Sequence, residues 1–536
     1  MRIIQFILLC FCLAAEGAWA DGPQFWTIKS KNDFLSGRFD GVSILGNETL
    51  VLAPEVRLLD DTGEPFIWCM ASAADGTVYA GTGHDGRVLS VTTEGDTATV
   101  YDALEPEVMS LAVDRKSDLF IGTSPEGRVY RLVKVGGEAE VFFDPEETYI
   151  WALAFGPKGY LYAATGPKGR VYRVSPSGEA VLLIDSEEQH IISLAFDREG
   201  NLLAGSSGSG LLYQVDPSGR VSILYDSSMK DIRSIVVDSR NNLYVAAFEL
   251  QSPAAHAKML VPQPEAAAEK PSDGETPKEG EPGKKPEKIV IKIPSPTRGI
   301  MANSEIYLLD KDRFVTRIWR GAGEAVMALG MTENDRALFV SSKKKNYIFS
   351  IDRLGDINLL SSFSETEVTG FCRTRGRILL CTSNQGKIFE LRPQFRTSGL
   401  FTSPVLNAGL PSQWGTVAWE GKDPSGTKVS FRTRSGNTAR PDTTWSPWSS
   451  PFSGKPGEVV SSPPRQYLQW EASFSSSRAG VTPELSQVSV SYLRRNRPPL
   501  VSRVRFMPQG VHIKSPANSA ARHSGGRDYP YEAKKL

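Results

Sequence analysis

Carboxylates recur along this chain just ahead of apolar stretches: Glu64, Glu105 and Glu107, Glu146 and Glu147, Glu187 and Glu188, Asp231, Glu324, Glu365 and Glu367. Aromatic and imidazole side chains stand beside them, at Phe66, Trp68, Tyr149, Trp151 and His190. Carboxylates accept hydrogen bonds from hydroxyl or ammonium groups, and aromatic faces stack on sugars or cations. Trp68, Glu107, Tyr149, Trp151, His190, Asp231 and Glu367 therefore form the candidate ligand-binding set. A carboxylate pair among these loop acids could also serve as the acid and base of glycoside cleavage. The bland counterpart is that such loops are acidic and solvated while the tryptophans pack between strands. No zinc-protease, phosphate-loop, serine-hydrolase or Cys-x-x-C motif occurs, and the five histidines, His84, His190, His256, His512 and His523, are scattered. Catalytic residues, metal ligands and cofactors are accordingly read as none.

The elements that must position these residues come from a repeat. "WCMASAADGTVYAGTGHDGRVLSV" starts at Trp68, and equivalent stretches start at Met109, Trp151, Ile192 and Arg233, separated by 41, 42, 41 and 41 residues. Weaker copies start at Met327 and Thr369. Each unit reads as four short strands rich in β-branched and aromatic residues, separated by Gly, Pro, Asp and Ser. No room remains for a crossover helix, so neighbouring strands must be antiparallel. Four strands every 40-odd residues are the pattern of a propeller blade, here seven times. The seventh unit lacks a fourth strand, and "EVRLLDD" (55–61) is expected to supply it and close the ring.

The expected architecture is all-β: a seven-bladed β-propeller over 55–391, followed by a β-sandwich over 396–495. A Pro/Glu/Lys-rich insertion at 249–303 interrupts the fifth unit between its second and third strands and reads as disordered. Residues 496–536 read as a basic disordered tail, with eight Lys/Arg against two Asp/Glu. Residues 1–20 read as a cleaved signal peptide ending in Ala18-Trp19-Ala20, and 21–54 as an N-terminal extension. The expected location is thus periplasmic or extracellular, with no membrane span. Lys plus Arg equals Asp plus Glu at 61 each, which argues against a nucleic-acid partner. The chain is taken as a monomer. Cys69, Cys372 and Cys381 read as free thiols; a turn over 373–376 would set Cys372 opposite Arg377. In the second module Arg432 and Arg434 share one strand face and can stack on Trp445 and Trp448, a cation–π ladder whose tryptophans could alternatively carry a sugar.

The repeats resemble the NHL-repeat and WD-repeat-like propellers of secreted bacterial proteins. The second module resembles jelly-roll or fibronectin-like sandwiches, and "WSPWS" with "FRTR" upstream is similar to the Trp-Ser-x-Trp-Ser element of cytokine-receptor domains. The resemblance implies fold strongly and function hardly at all. The leading expectation is an exported, non-enzymatic propeller binding a protein or polysaccharide on the face bearing the links from strand four to strand one. An extracellular carbohydrate hydrolase or lyase is the alternative, and a sensory module the second alternative.

Overall fold

The computed structural model describes residues 22–133, 136–250, 302–342, 346–363, 367–454 and 458–495. The signal-peptide reading (1–20), nearly all of the 249–303 insertion and the 496–536 tail lie outside the described residues, as does Glu365.

The repeat folds as a seven-bladed propeller. Blade 1 pairs Phe66–Ser72, Val78–Gly83, Arg87–Val91 and Thr97–Asp102 as an antiparallel meander. The same order recurs in blade 2 (107–147), blade 3 (149–185), blade 4 (190–226), blade 5 (231–322) and blade 6 (329–363). Blade 7 combines Glu367–Thr374, Arg377–Ser383 and Lys387–Phe395 with Pro54–Asp61, which pairs antiparallel to the third strand through Leu391↔Val56 and Lys387↔Asp61. The first propeller strand in the chain thus zips onto the last blade and leaves no long open edge.

Apolar side chains from adjacent blades meet face to face. Between blades 1 and 2, Val88, Val108, Ile121 and Tyr130 are at most 5% exposed and share one cluster. Strand alternation puts such residues on the faces that blades turn to one another, where each buried aliphatic side chain contributes about 1.5–3 kcal/mol.

One irregularity repeats. The pairing of strands one and two slips by a residue between Ile67 and Cys69, Val108 and Ser110, Ile150 and Ala152, Ile191 and Ser193, Ile232 and Ser234, and Val368 and Gly370. The unpaired residue is Trp68, Met109, Trp151, Ile192, Arg233 and Thr369 in turn. A bulge re-aims its extra side chain out of the alternation. Here it does so at one level of every blade where it occurs.

The second module is also all-β. Arg465–Ser476 pairs with Ser398–Thr402 and with Thr427–Gly436. The 17-residue strand Leu406–Lys422 pairs with Arg465–Ser476 at its start and with Glu484–Arg494 beyond it. Trp414, Val417, Phe431, Trp470, Phe474, Val488 and Val490, each at most 3% exposed, fill the common core.

Residues 21–54 are more than an extension. Gln24–Ile28 pairs with Glu484–Arg494, and Arg38–Asp40 with Ser398–Thr402. The hairpin of Val42–Ile44 and Leu50–Leu52 bridges Leu485 on one side and Leu359 of blade 6 on the other. Leu359 is fully buried within the second module's core, so propeller and module share apolar contacts.

The final hairpin corrects one register. Its turn is Arg375–Gly376, both with positive φ (45° and 78°), and Cys372 faces Leu379 rather than Arg377. Cys69, Cys372 and Cys381 are free; burial pushes the Cys372 thiol up to about 11 and the Cys381 thiol up to about 12.

Candidate functional site

The acids entering each blade divide into two classes. The first is structural. Glu64, Glu105 and Glu147 are buried, at 6%, 4% and 7% exposure, rather than solvated in their loops. Each meets the arginine that follows the glycine of a turn between strands two and three: Glu64 with Arg87 at 2.8 Å, Glu105 with Arg128 at 3.4 Å, Glu147 with Arg170 at 3.6 Å. The Tyr130 hydroxyl also donates to Glu105 at 2.9 Å. A buried carboxylate needs a partner of this kind, because removing water from an isolated charge costs several kcal/mol. The turns join strands two and three and hold acids, not phosphates. Glu146 and Glu187 are exposed, Glu188 accepts from the Ser209 amide at 3.0 Å, and Glu324 accepts from the Ser341 hydroxyl.

The second class stands at the first residue of strand one: Phe66, Glu107, Tyr149, His190, Asp231 and Glu367. These positions are equivalent by register. Phe66 pairs with Gly83, Glu107 with Ser124, Tyr149 with Gly166, His190 with Ser207, Asp231 with Phe248 and Glu367 with Ser383. They occupy one rim of the propeller, and two residues later stands the bulged side chain.

First and bulged residues interlock across blades. Phe66 stacks on Trp68 (5.1 Å between centroids, 4° between planes), and the Trp68 indole N–H donates to Glu107 of blade 2 at 2.5 Å. Tyr149 stacks on Trp151 (4.8 Å, 16°), and the Trp151 indole N–H donates to His190 Nδ1 of blade 4 at 3.0 Å. Tyr149 also meets the His190 ring edge-on at 5.7 Å. Asp231 is fully buried, accepts from the Ser207 hydroxyl at 2.7 Å and lies 3.5 Å from Arg233. Arg233 in turn sits over the Phe248 ring at 5.6 Å. Glu367 is 6% exposed, and its Oε1 has no hydrogen-bond partner among the described residues. All seven candidate residues thus lie on one rim, and six of them stand in groups that couple neighbouring blades, with Glu367 outside these groups. Cross-rim pairing of carboxylates is not part of these groups.

Burial sets their protonation. It pushes Glu107 up to about 7 despite the opposing Trp68 hydrogen bond. Glu367 also rises to about 7, with burial the sole cause. His190 falls to about 4 because burial outweighs the attraction of Asp231. At neutral pH His190 is therefore a neutral ring whose Nδ1 is free to accept the indole N–H.

Sequence reading missed one signal for these contacts. Trp68 and Trp151 are accompanied by glycine at the end of strand two, Gly83 and Gly166, where blades 2, 4, 6 and 7 carry Ser124, Ser207, Ser342 and Ser383. A Cβ at Gly83 would lie 2.3 Å from Trp68 Nε1 and 2.5 Å from Glu107 Oε2; at Gly166 it would lie 2.0 Å from His190 Nδ1. Only glycine leaves room for the indole to reach its acceptor. The Trp–Gly pairing 15 residues apart was readable in the repeat alignment.

In the second module Arg434 lies 5.5 Å from the Trp445 ring and 4.4 Å from Trp448, and Arg432 lies 5.0 Å from Trp448. Glu471 pairs with Arg432 at 2.6 Å, and Gln469 accepts from Arg434 at 2.7 Å. Trp445 is 6% exposed and donates to Thr438 at 2.8 Å. Ser446 and Ser449 donate their amides to the Ser435 and Thr433 carbonyls, and their hydroxyls accept the Ser435 and Thr433 amides. That doubled pairing accounts for the serines of the Trp-Ser-x-Trp-Ser stretch.

Among the described residues no group of three or more His, Cys, Asp and Glu could hold a metal ion, and no helix is long and apolar enough to cross a membrane. No protein-family model and no curated protein matches the chain. Solved structures with similar folds include a streptogramin B lyase (TM-score 0.46, 11% identity, covering 63% of this chain and 97% of that one). A selenomethionine-substituted virginiamycin B lyase from Staphylococcus aureus gives 0.45 at 11% identity, covering 64% and 99%. The WD40 β-propeller domain of Doa1 gives 0.45 at 11% identity, covering 63% and 98%. At these identities neither activity nor partner carries over to this chain.

Proposed function

We propose that this chain is an exported binding propeller that recognises a protein or polysaccharide on the rim formed by the starts of the first strands. The second module, read as a sandwich of the fibronectin or jelly-roll type, is an accessory domain. The observation that carries the reading is the concentration of Glu107, His190, Asp231 and Glu367 with Trp68, Tyr149 and Trp151 on one rim, where the blades otherwise bury apolar side chains. The buried acids Glu64, Glu105 and Glu147 are each held by an arginine, whereas Glu367 on this rim has neither an ion pair nor a hydrogen bond to its Oε1 among the described residues. A buried polar group left without a partner calls for an explanation, and a bound ligand supplies one.

The test is capture from envelope or culture-medium fractions by the purified chain, compared with Trp151→Ala, Glu107→Gln and Glu367→Gln. Loss of a captured ligand in correctly folded variants supports the rim. A ligand retained by all three refutes it.

A catalytic reading draws on one observation, the two carboxyls held near neutral, as a general acid requires. Glu107 is committed to Trp68, which leaves Glu367 to be tested. Carbohydrate turnover that vanishes in Glu367→Gln would favour this reading over binding alone.

A further inference from the structure

Three rim carboxylates face the same physical problem, and the repeat lets their solutions be compared position by position. Glu107 receives the indole N–H of Trp68, the bulged residue of the preceding blade. Asp231 follows a blade whose bulged residue is Ile192, which has no donor; it receives the hydroxyl of Ser207, at the end of that blade's second strand, and lies beside Arg233. Glu367 follows blade 6. There Ala325 bridges Ser342 as Phe66 pairs with Gly83, which puts Met327 at the Trp68 position and Ser342 at the Gly83 position. A thioether has no proton to donate. Ser342 does not take the part of Ser207, since Glu367 Oε1 is without a partner among the described residues.

Apolar clusters lie next to Glu367 in the strand and at the position in blade 6 that Trp68 holds in blade 1. Val368 is 3% exposed and clusters with Val340, Ile348 and Leu380, and Met327 packs with Phe248, Leu250 and Ala325. Among the described residues no charge or hydrogen bond acts on the Glu367 carboxyl, and burial alone raises it. A buried acceptor without a donor costs about 1–3 kcal/mol, so the position is an expensive one to leave empty.

We infer that Glu367 is the anchor for a protonated amine of the ligand, which supplies between blades 6 and 7 the donor that Trp68 supplies between blades 1 and 2. The amine is that of a lysine side chain in a peptide segment. An alkyl stem can pass apolar walls without unmet hydrogen bonds, and an ammonium gives the carboxylate both a donor and a countercharge. A sugar ring would bring hydroxyls for which this position offers no further partner. The inference rests on the rim being the contact face, and it names the ligand group and its anchor.

The test uses the full chain against an array of single-lysine heptapeptides, the same array acetylated on the lysine amine, and a chitosan tetramer. Variants are Glu367→Gln and the double substitution Met327→Trp with Ser342→Gly, which builds the Trp68–Gly83 arrangement into blade 6. The expected result is binding of lysine peptides, weakened roughly tenfold or more by acetylation and by each variant. Direct titration of Glu367 should show its pKa lowered in the double variant, because an indole donor favours the charged form. Should the double variant not fold, Glu367→Gln alone decides. Binding of the chitosan tetramer without lysine peptides overturns the peptide assignment. Lysine-peptide binding unchanged in both variants but lost in Trp151→Ala overturns the anchor and leaves the rim standing. Binding indifferent to Trp151→Ala as well overturns both.

Discussion

Trp68 of blade 1 donates its indole N–H to Glu107 of blade 2 at 2.5 Å, and the carboxylate end of that bond is shielded from water. The bond is possible because a bulge turns Trp68 out of the strand alternation and because Gly83 has no side chain in its path. It ties two blades at the rim, above the apolar contacts that join them lower down.

Removing the donor should therefore cost more than the area lost. Trp68→Phe takes the indole donor from the buried Glu107 and leaves it only the His84 backbone, and a loss of about 1–3 kcal/mol is expected from urea unfolding. Glu107→Gln in the same background should recover part of it, since an amide is cheaper to bury than a carboxyl poised to ionise. A double-mutant cycle that returns simple additivity would show the two residues to be uncoupled.

The glycine should behave as a partner of the tryptophan rather than as a turn residue. Gly83→Ala puts a methyl 2.3 Å from Trp68 Nε1, and overpacking of this kind costs about 1–3 kcal/mol. The same change in a Trp68→Met background should cost less, because only the Glu107 Oε2 contact at 2.5 Å remains to be relieved and blade 2 already combines Met109 with Ser124. Equal losses in both backgrounds would contradict the interlock.

Most of the propeller was legible because its signal is local and repeated. A 41–42-residue period, strand alternation and a missing fourth strand in unit seven are visible without any tertiary information. Residues 21–54 were not legible as part of the second module, because their partners are remote: Thr27 meets Ser489, 462 positions away, and three of their strands are only three residues long. The candidate rim residues were readable as a set, since connectivity alone puts equivalent positions on one face. Burial of Glu64, Glu105 and Glu147 was not, because loop acids look alike until the arginine across the blade is in place.

The rim carboxyl should also be visible in the pH dependence of stability. Burial raises Glu367 from an ordinary value near 4.5 to about 7, so within that window the folded chain binds more protons than the unfolded one. Stability is highest below the window and falls as pH rises through it, by an amount on the order of 3 kcal/mol in the absence of ligand. His190 acts in the opposite sense: held neutral down to about 4 against an ordinary 6.5, it loses stability as pH falls through that range. The two slopes overlap, so the comparison must be between variants. Melting temperatures of the parent chain minus those of Glu367→Gln should decline from pH 5 to pH 8. A difference that stays flat would mean that Glu367 ionises normally in the fold.

The hairpin of Val42–Ile44 and Leu50–Leu52 gives a last prediction, about how the two parts of the chain hold together. Ile44 bridges Leu359 on the outer strand of blade 6, and the Ser43 and Ser362 hydroxyls donate to the Leu360 and Phe39 carbonyls across the same seam. Leu359 and Ile44 are both fully buried in the core that Phe401, Trp470 and Phe474 complete. Truncating Leu359 to Ala opens a cavity where blade packing and module packing coincide, and buried leucine-to-alanine changes cost about 2–5 kcal/mol. Because the lost contacts lie between the two parts, they should also come to unfold separately. Calorimetry of the parent chain should show one cooperative transition, and Leu359→Ala should split it into two. A variant that loses several degrees yet still melts in a single step would place the coupling elsewhere, most directly in the strand Pro54–Asp61, which closes blade 7 and continues from the same hairpin.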